Sequence, residues 1–498
     1  MKSINIMNFA RSYEPRNKEA EDNLLKTTRE QLDLVNEYGV DATFLLQYDV
    51  IVNEEFVKMI KERAGENIEL GFWYEVVEPL TSACGMPYES TRGWKWDWFI
   101  KPGFPVSYSL PDREKLIDEA MRKFKEVFGY YPRTVGSWLL DTHTVNYLTD
   151  NYDIDALCYC RDQINTDAYT FVGGYFNQAY YPSRNNYFIP AGSDKTQVNV
   201  PAFRLLGPDP INNYDYGKYA SPECGRGPYT MEVVYPRTTG RDPAITDWYY
   251  RSFFTNEDLG FSYVQIGQEN SFALYDIIAP LRMQIEKALR LDGVKIQKMC
   301  DTGREFKNKY RTTPATCVCA LDSWDTTDCQ SVYYDCKSYT ANVMYAKDKV
   351  FIRALYLFDD RLEDYYTARP CDTFDAVYES LPIVDTAYQK GETDGGYGII
   401  LDTSAHRLTA TKTAEGELTV AFGDSSAVFT EDSITLKGCT PSFTHYMINT
   451  KITATDTAIN YEYKDNRYSL EVSGAKIKEN KNTITLIGEE IVLTPKRG

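Results

Sequence analysis

Histidine is almost missing: His143, His406 and His445 are the only three in 498 residues, and no two are spaced as a metal pair would be. A zinc hydrolase centre would have to rest on carboxylates or thiolates, so no metal and no cofactor is expected. No run of eighteen apolar residues is present to span a bilayer, and no membrane role is expected. A Gly-rich phosphate loop and a G-x-S-x-G elbow are also lacking, which leaves nucleotide and serine-hydrolase chemistry without their motifs. Positive charge is short: 54 Lys and Arg stand against 72 Asp and Glu, for a net charge of −18. That balance repels phosphate backbones, no basic cluster interleaved with aromatics offsets it, and nucleic acid is a poor partner. Met1 to Arg16 lacks the basic start, apolar stretch and small-residue cleavage site of a secretory signal, so a cytoplasmic location is expected. The eleven cysteines follow no framework spacing, and the pairs Cys158/Cys160 and Cys317/Cys319 read as reduced core thiols. Nothing in the sequence speaks to oligomeric state.

What the chain does have is aromatic residues, with 40 tyrosines and 7 tryptophans, and a regular rhythm over its first 300 residues. Short apolar runs alternate with amphipathic helical patterns, the mark of βα units and a parallel sheet or barrel. Strands are predicted at Ser3 to Phe9, Ala42 to Tyr48, Ile68 to Tyr74, Thr134 to Leu140, Ala156 to Cys160, Phe203 to Leu206 and Gly260 to Ile266. Between the first two, Leu25, Thr28, Leu32 and Val35 recur at helical spacing and Gly39 supplies the stop. A second helix follows Pro111, with Leu116, Ala120, Phe124 and Val127 inward and Gly129 at its end. Val76 to Ser109 holds Trp94, Trp96 and Trp98 without a sustained period and reads as a long βα loop. From Gly396 onward short runs alternate apolar and polar residues between turns, which predicts an antiparallel sandwich. The expected architecture is an irregular (β/α)7 barrel over 1–310, a connecting α/β region over 311–390, and an all-β domain over 391–498.

Acids recur where one predicted strand after another stops: Asp49, Glu75, Asp141, Asp162 and Glu269. In a parallel barrel the C-terminal strand ends share one face, where active sites are built. For each alone, capping the next helix is an equal reading. Together they suggest one pocket. Asp141 and Glu269, after the fourth and seventh strands, are the expected catalytic pair, because glycosidic bonds need one acid and one further carboxylate. Asp49, Glu75, Trp73, Trp138, Arg11, His143, Arg161, Asp162 and Gln268 are the expected sugar contacts. Arg11 with Glu14 and Arg16 reads equally as an ion pair, and His143 as a capping residue.

Several fragments resemble those of the glycoside hydrolase/deacetylase superfamily: Ala42-Thr43-Phe44 with Asp49, Glu69-Leu70-Gly71, and Gly129-Tyr130-Tyr131-Pro132-Arg133 leading into Ser137-Trp138. The resemblance covers roughly the first 300 residues and implies a seven-stranded β/α barrel. Deacetylases of this type bind a metal through an aspartate and paired histidines, whereas here Trp73 stands where a histidine would follow Glu-x-Gly. Relatives in glycoside hydrolase family 57 use carboxylates after strands four and seven, which Asp141 and Glu269 match, although that family usually has Glu at the first. A β-rich domain behind the barrel is similar to that of family 38. The expected function is metal-independent glycoside hydrolysis or transglycosylation on an oligo- or polysaccharide. The alternatives are a non-catalytic sugar-binding or regulatory protein on a degenerate barrel, and a deacetylase with an atypical metal site.

Overall fold

The computed structural model describes all residues except 161–162, 167–168, 213–229, 235–238, 273–274, 326, 387–397, 445–446, 448 and 498. Seven parallel strands form a nearly closed barrel: β1 (Lys2–Ala10), β2 (Ala42–Leu46), β3 (Ile68–Trp73), β4 (Thr134–Gly136), β5 (Ala156–Tyr159), β6 (Ala202–Arg204) and β7 (Ser262–Ile266). Their order is β6-β5-β4-β3-β2-β1-β7, and the gap between β6 and β7 is crossed where the Gln265 side chain accepts from the Leu206 backbone N–H. Both faces of these strands are buried, so they read as continuous apolar runs and not as alternating ones.

Helices cover the barrel from outside. In α1 (Lys18–Tyr38), Asn17 caps the first turn by accepting from Glu19 N and Ala20 N, and Gly39 closes it at φ 60°. The buried stripe of α1 runs through Leu24, Thr28, Leu32 and Val35; Leu25, expected inward, is half-buried beside it. α2 (Glu54–Arg63) and α3 (Leu110–Phe128) pack the same way, α3 burying Arg113, Leu116, Ala120 and Phe124. Strand β4 stops at Gly136, four residues before the predicted Leu140. Ser137 Oγ bridges the carbonyls of Tyr74 (2.7 Å) and Leu139 (2.8 Å) and turns the chain out of the sheet. Helix α4 (Thr142–Asn151) begins almost at once.

Behind the barrel lie two antiparallel sheets. One carries Thr316–Ala320, Gln330–Asp335, Tyr339–Ala346 and Lys349–Leu357 next to Ile399–Asp402, Ser442–Thr444, Thr483–Ile487 and Lys476–Asn480. The expected connecting region therefore supplies strands to the sandwich. The other runs from Leu408–Ala414 to Thr450–Ala454, and Leu418, Val420, Leu436, Ile459, Leu470, Ile484 and Leu486 fill the space between them. Among the described residues no helix is long and apolar enough to cross a membrane.

Candidate active site

The C-terminal ends of β1, β2, β3 and β7 bring their acids and amides together around one guanidinium. Arg11, the first residue past β1, is 2% exposed and donates through Nη2 to Glu269 Oε2 at 2.7 Å. The same nitrogen lies 3.8 Å from Glu75 Oε2, and Nη1 lies 3.7 Å from Glu14 Oε2. The indole of Trp96 covers the guanidinium at 3.9 Å. Arg16 closes the far side, pairing with Glu14 at 2.5 Å and sitting 4.9 Å over Trp96.

Glu75 is fully buried, two residues past β3. Its Oε2 accepts from Gln47 Nε2 (2.5 Å), Trp73 Nε1 (2.8 Å) and Trp96 Nε1 (3.0 Å). Its Oε1 has no partner. Burial pushes this carboxyl up to about 7, against the opposing pull of Arg11 and the indole N–H groups. Burial also raises Glu269, though Arg11 lies in direct contact. Glu14 goes the other way: burial works to raise it, but the Arg16 hydrogen bonds and the Arg11 charge hold it below the usual range. Two guanidinium charges thus face Glu14 and Glu269 at closer range, and Glu75 shares Arg11 only at 3.8 Å.

Asp49 lies in a helical turn after β2, where its Oδ2 accepts from Ser12 N (2.8 Å) and Ser12 Oγ (3.0 Å) while Oδ1 has no partner. Burial raises it to about 6, and Arg11 opposes the shift. Trp73 stacks on Phe9 at 4.2 Å with 1% exposure, so its role is to hold Glu75 from within the core. Trp138 stands edge-on to both rings, at 5.3 Å from Phe9 and 5.4 Å from Trp73, and is half-buried. Gln268 is fully buried; its backbone bonds Asn8 and Gln31, and neither end of its carboxamide has a partner.

Asp141 does not join this group. It caps α4 by accepting from Thr144 N (3.0 Å) and Thr144 Oγ1 (2.6 Å), and it pairs at 2.6 Å with Arg113, both side chains having no exposed surface. Because β4 ends at Gly136, Asp141 is a helix start and not a strand end. His143 follows it onto the outer surface, where Nε2 meets Glu114 at 3.0 Å. Arg161 and Asp162 lie outside the described residues. Gln47 and Trp96 escaped the sequence reading. Gln47 sits one residue past an apolar strand, where an amide is a usable signal, whereas Trp96 lies in a loop with no period to mark it.

Among the described residues no three His, Cys, Asp or Glu side chains gather as metal ligands. At the mouth, the place a divalent cation would take among Glu14, Glu75 and Glu269 is filled by Arg11, so this donor set does not fit a metal.

No family model and no curated protein matches the chain. Among solved structures it is similar to a Parabacteroides distasonis protein provisionally described as a glycoside hydrolase/deacetylase, with a TM-score of 0.52 at 14% identity over 77% of this chain and 88% of that one. A Mycobacterium smegmatis protein provisionally described as a polysaccharide deacetylase aligns over 62% of this chain and 90% of that one, at 12% identity and a TM-score of 0.38. The first likeness shows a shared fold; neither description refers to families 57 or 38.

Proposed function

We propose that this protein is a carbohydrate-active enzyme that hydrolyses glycosidic bonds, with Glu75 as the acid and Glu269 as the second carboxylate. The observation that carries the reading is the shared contact of the two buried glutamates with Arg11 Nη2, at 3.8 Å and 2.7 Å. Three N–H donors occupy Glu75 Oε2, so a proton held near neutral pH sits on the unpartnered Oε1. Oε1 is buried in this closed arrangement, so the site has to open for that proton to pass to the oxygen of a leaving sugar. Arg11, bonded to Glu269 at 2.7 Å, favours the ionised form of that glutamate against the burial that raises it, and as a carboxylate Glu269 can attack the anomeric carbon or steady its positive charge.

Two oxygens held at 3.8 Å and 2.7 Å from one nitrogen are at most about 6.5 Å apart, close enough for the two carboxyls to act on one bound sugar. This reading puts Glu75 in the place of Asp141 in the expected pair, since the acceptor positions of Asp141 cap a helix and bind Arg113. The fold shared with the Parabacteroides distasonis protein supports a carbohydrate substrate.

Turnover of an aryl glycoside panel tests the assignment. Glu75→Gln and Glu269→Gln should each lose about 100-fold or more in kcat/KM, the usual share of an acid or base. Parent protein that releases acetate from acetylated glycans in a chelator-sensitive way would replace this reading with a deacetylase. Sugars that raise the melting temperature without any turnover would replace it with a binding protein.

A further inference from the structure

The loop between β3 and α3 carries aromatic rings outward from the site. Trp96, bonded to Glu75, touches Trp98 at a centroid distance of 6.0 Å. Trp98 in turn meets Trp94 at 5.4 Å and Phe99 at 5.9 Å. Phe99 meets Phe374 at 5.3 Å, and Phe374, which reaches in from the sandwich side of the chain, is 43% exposed. Trp94, Trp98 and Phe99 are each half-buried, so an unbroken aromatic strip leads from Glu75 to open surface.

The strip is held rigid from behind. The Arg92 guanidinium lies 3.6 Å from the Trp98 ring, 4.1 Å from Trp94 and 4.4 Å from Phe99. Buried Asp97 fixes Arg92 through Nε at 3.1 Å and also accepts from Phe99 N at 3.0 Å. The Ile100 N–H ties the strip to the Phe374 carbonyl at 3.0 Å. The two guanidiniums packed on its rings are matched, Arg92 by Asp97 and Arg16 by Glu14, and Lys95 is outnumbered by Asp372 and Asp375 on either side of Phe374.

From this geometry we infer that the strip binds a neutral polysaccharide chain, so that the substrate is an extended glycan threaded past Trp96 and not a lone terminal sugar. The inference rests on the glycosidase reading for the site at its inner end. Pyranose rings offer C–H faces that pack on aromatic rings, and rings held in place before binding lose little freedom when the chain arrives. Matched charge gives an anionic glycan no extra attraction.

Affinity electrophoresis in gels holding hydroxyethylcellulose, xylan, glycol chitin or polygalacturonate tests this for the parent, Phe374→Ala, Trp94→Ala, Phe374→Tyr and Glu75→Gln, each checked for a single cooperative melting transition. At least one neutral polymer should retard the parent. The two alanine variants should lose about tenfold or more of that affinity, the size of a lost stacking contact. Phe374→Tyr should keep it, and polygalacturonate should bind no better than the neutral polymers. Absence of retardation by every neutral polymer, or retardation unchanged in Phe374→Ala and Trp94→Ala, would overturn the inference. Retardation that persists in Glu75→Gln while the parent cuts no glycan would sink the catalytic reading and leave the strip standing.

Discussion

Replacing Glu75 by glutamine should abolish hydrolysis and, at pH 8, make the protein more stable. A glutamine can keep its amide oxygen where Oε2 stands, accepting from Gln47, Trp73 and Trp96, and place its NH2 where a protonated Oε1 would be. It imitates the neutral acid at every pH. In the parent, the unfolded carboxyl ionises near its ordinary 4.5 and the folded one only near 7. Below pH 4.5 both states are protonated and the stability contributed by the raised value is fully present. As pH rises towards 7 the unfolded chain releases its proton first, and that stability is lost, about 3 kcal/mol in all. The Gln variant lacks this loss. At pH 4 it should match the parent, and at pH 8 it should exceed it by about 3 kcal/mol, or roughly 5 °C in melting temperature. Asp49 and Asp364, each raised to about 6, tilt both proteins alike, so the parent-minus-variant difference reports Glu75 together with its repulsion from Glu269. Urea titrations at pH 4, 6 and 8 measure it. A variant less stable than the parent at pH 8, or a difference flat across pH, would refute the reasoning.

Arg11→Met should cost about 3–5 kcal/mol by urea titration, because it strands buried Glu269 while Glu14 keeps Arg16, and adding Glu269→Gln should recover part of the loss. Asp141→Asn should destabilise the fold by about 3 kcal/mol or more, since buried Arg113 loses its counter-charge, while kcat per folded molecule stays within about twofold of the parent. The pH profile of kcat/KM should fall on the alkaline side as Glu75 gives up its proton near 7; a plateau reaching pH 9 would count against Glu75 as the acid. Trp96→Phe should move that fall to higher pH, because the ionised carboxyl loses one of its three N–H donors.

The barrel was legible because its signal is periodic. All seven predicted strands and the helix running from Lys18 to Gly39 are present, and the alternation after Gly396 does form a sandwich. The fourth strand misled because Ser137, Trp138, Leu139 and Leu140 look like strand continuation, while the turn depends on one hydroxyl bonding two carbonyls. That error turned Asp141 from a helix cap into an apparent strand-end acid. Its partner was visible in principle: Arg113 falls on the same face as Leu116, Ala120 and Phe124, and a cation on an apolar stripe needs a buried counter-charge. The positions of Glu75 and Glu269 just past strand ends are legible because β3 and β7 end where their apolar runs end. The indole lid over Arg11 is not, since nothing local in Gly93 to Trp98 says which tryptophan turns inward.

Acid catalysis by Glu75 requires that its carboxyl still be protonated near neutral pH. Infrared difference spectroscopy of the protonated carboxyl C=O stretch, comparing parent with Glu75→Gln, reads this directly. A parent-minus-variant band present at pH 6 and lost as pH passes about 7, with the contributions that Asp49 and Asp364 make to both proteins cancelling, is the predicted result. No difference band at pH 6, or one already gone by pH 5, would contradict it.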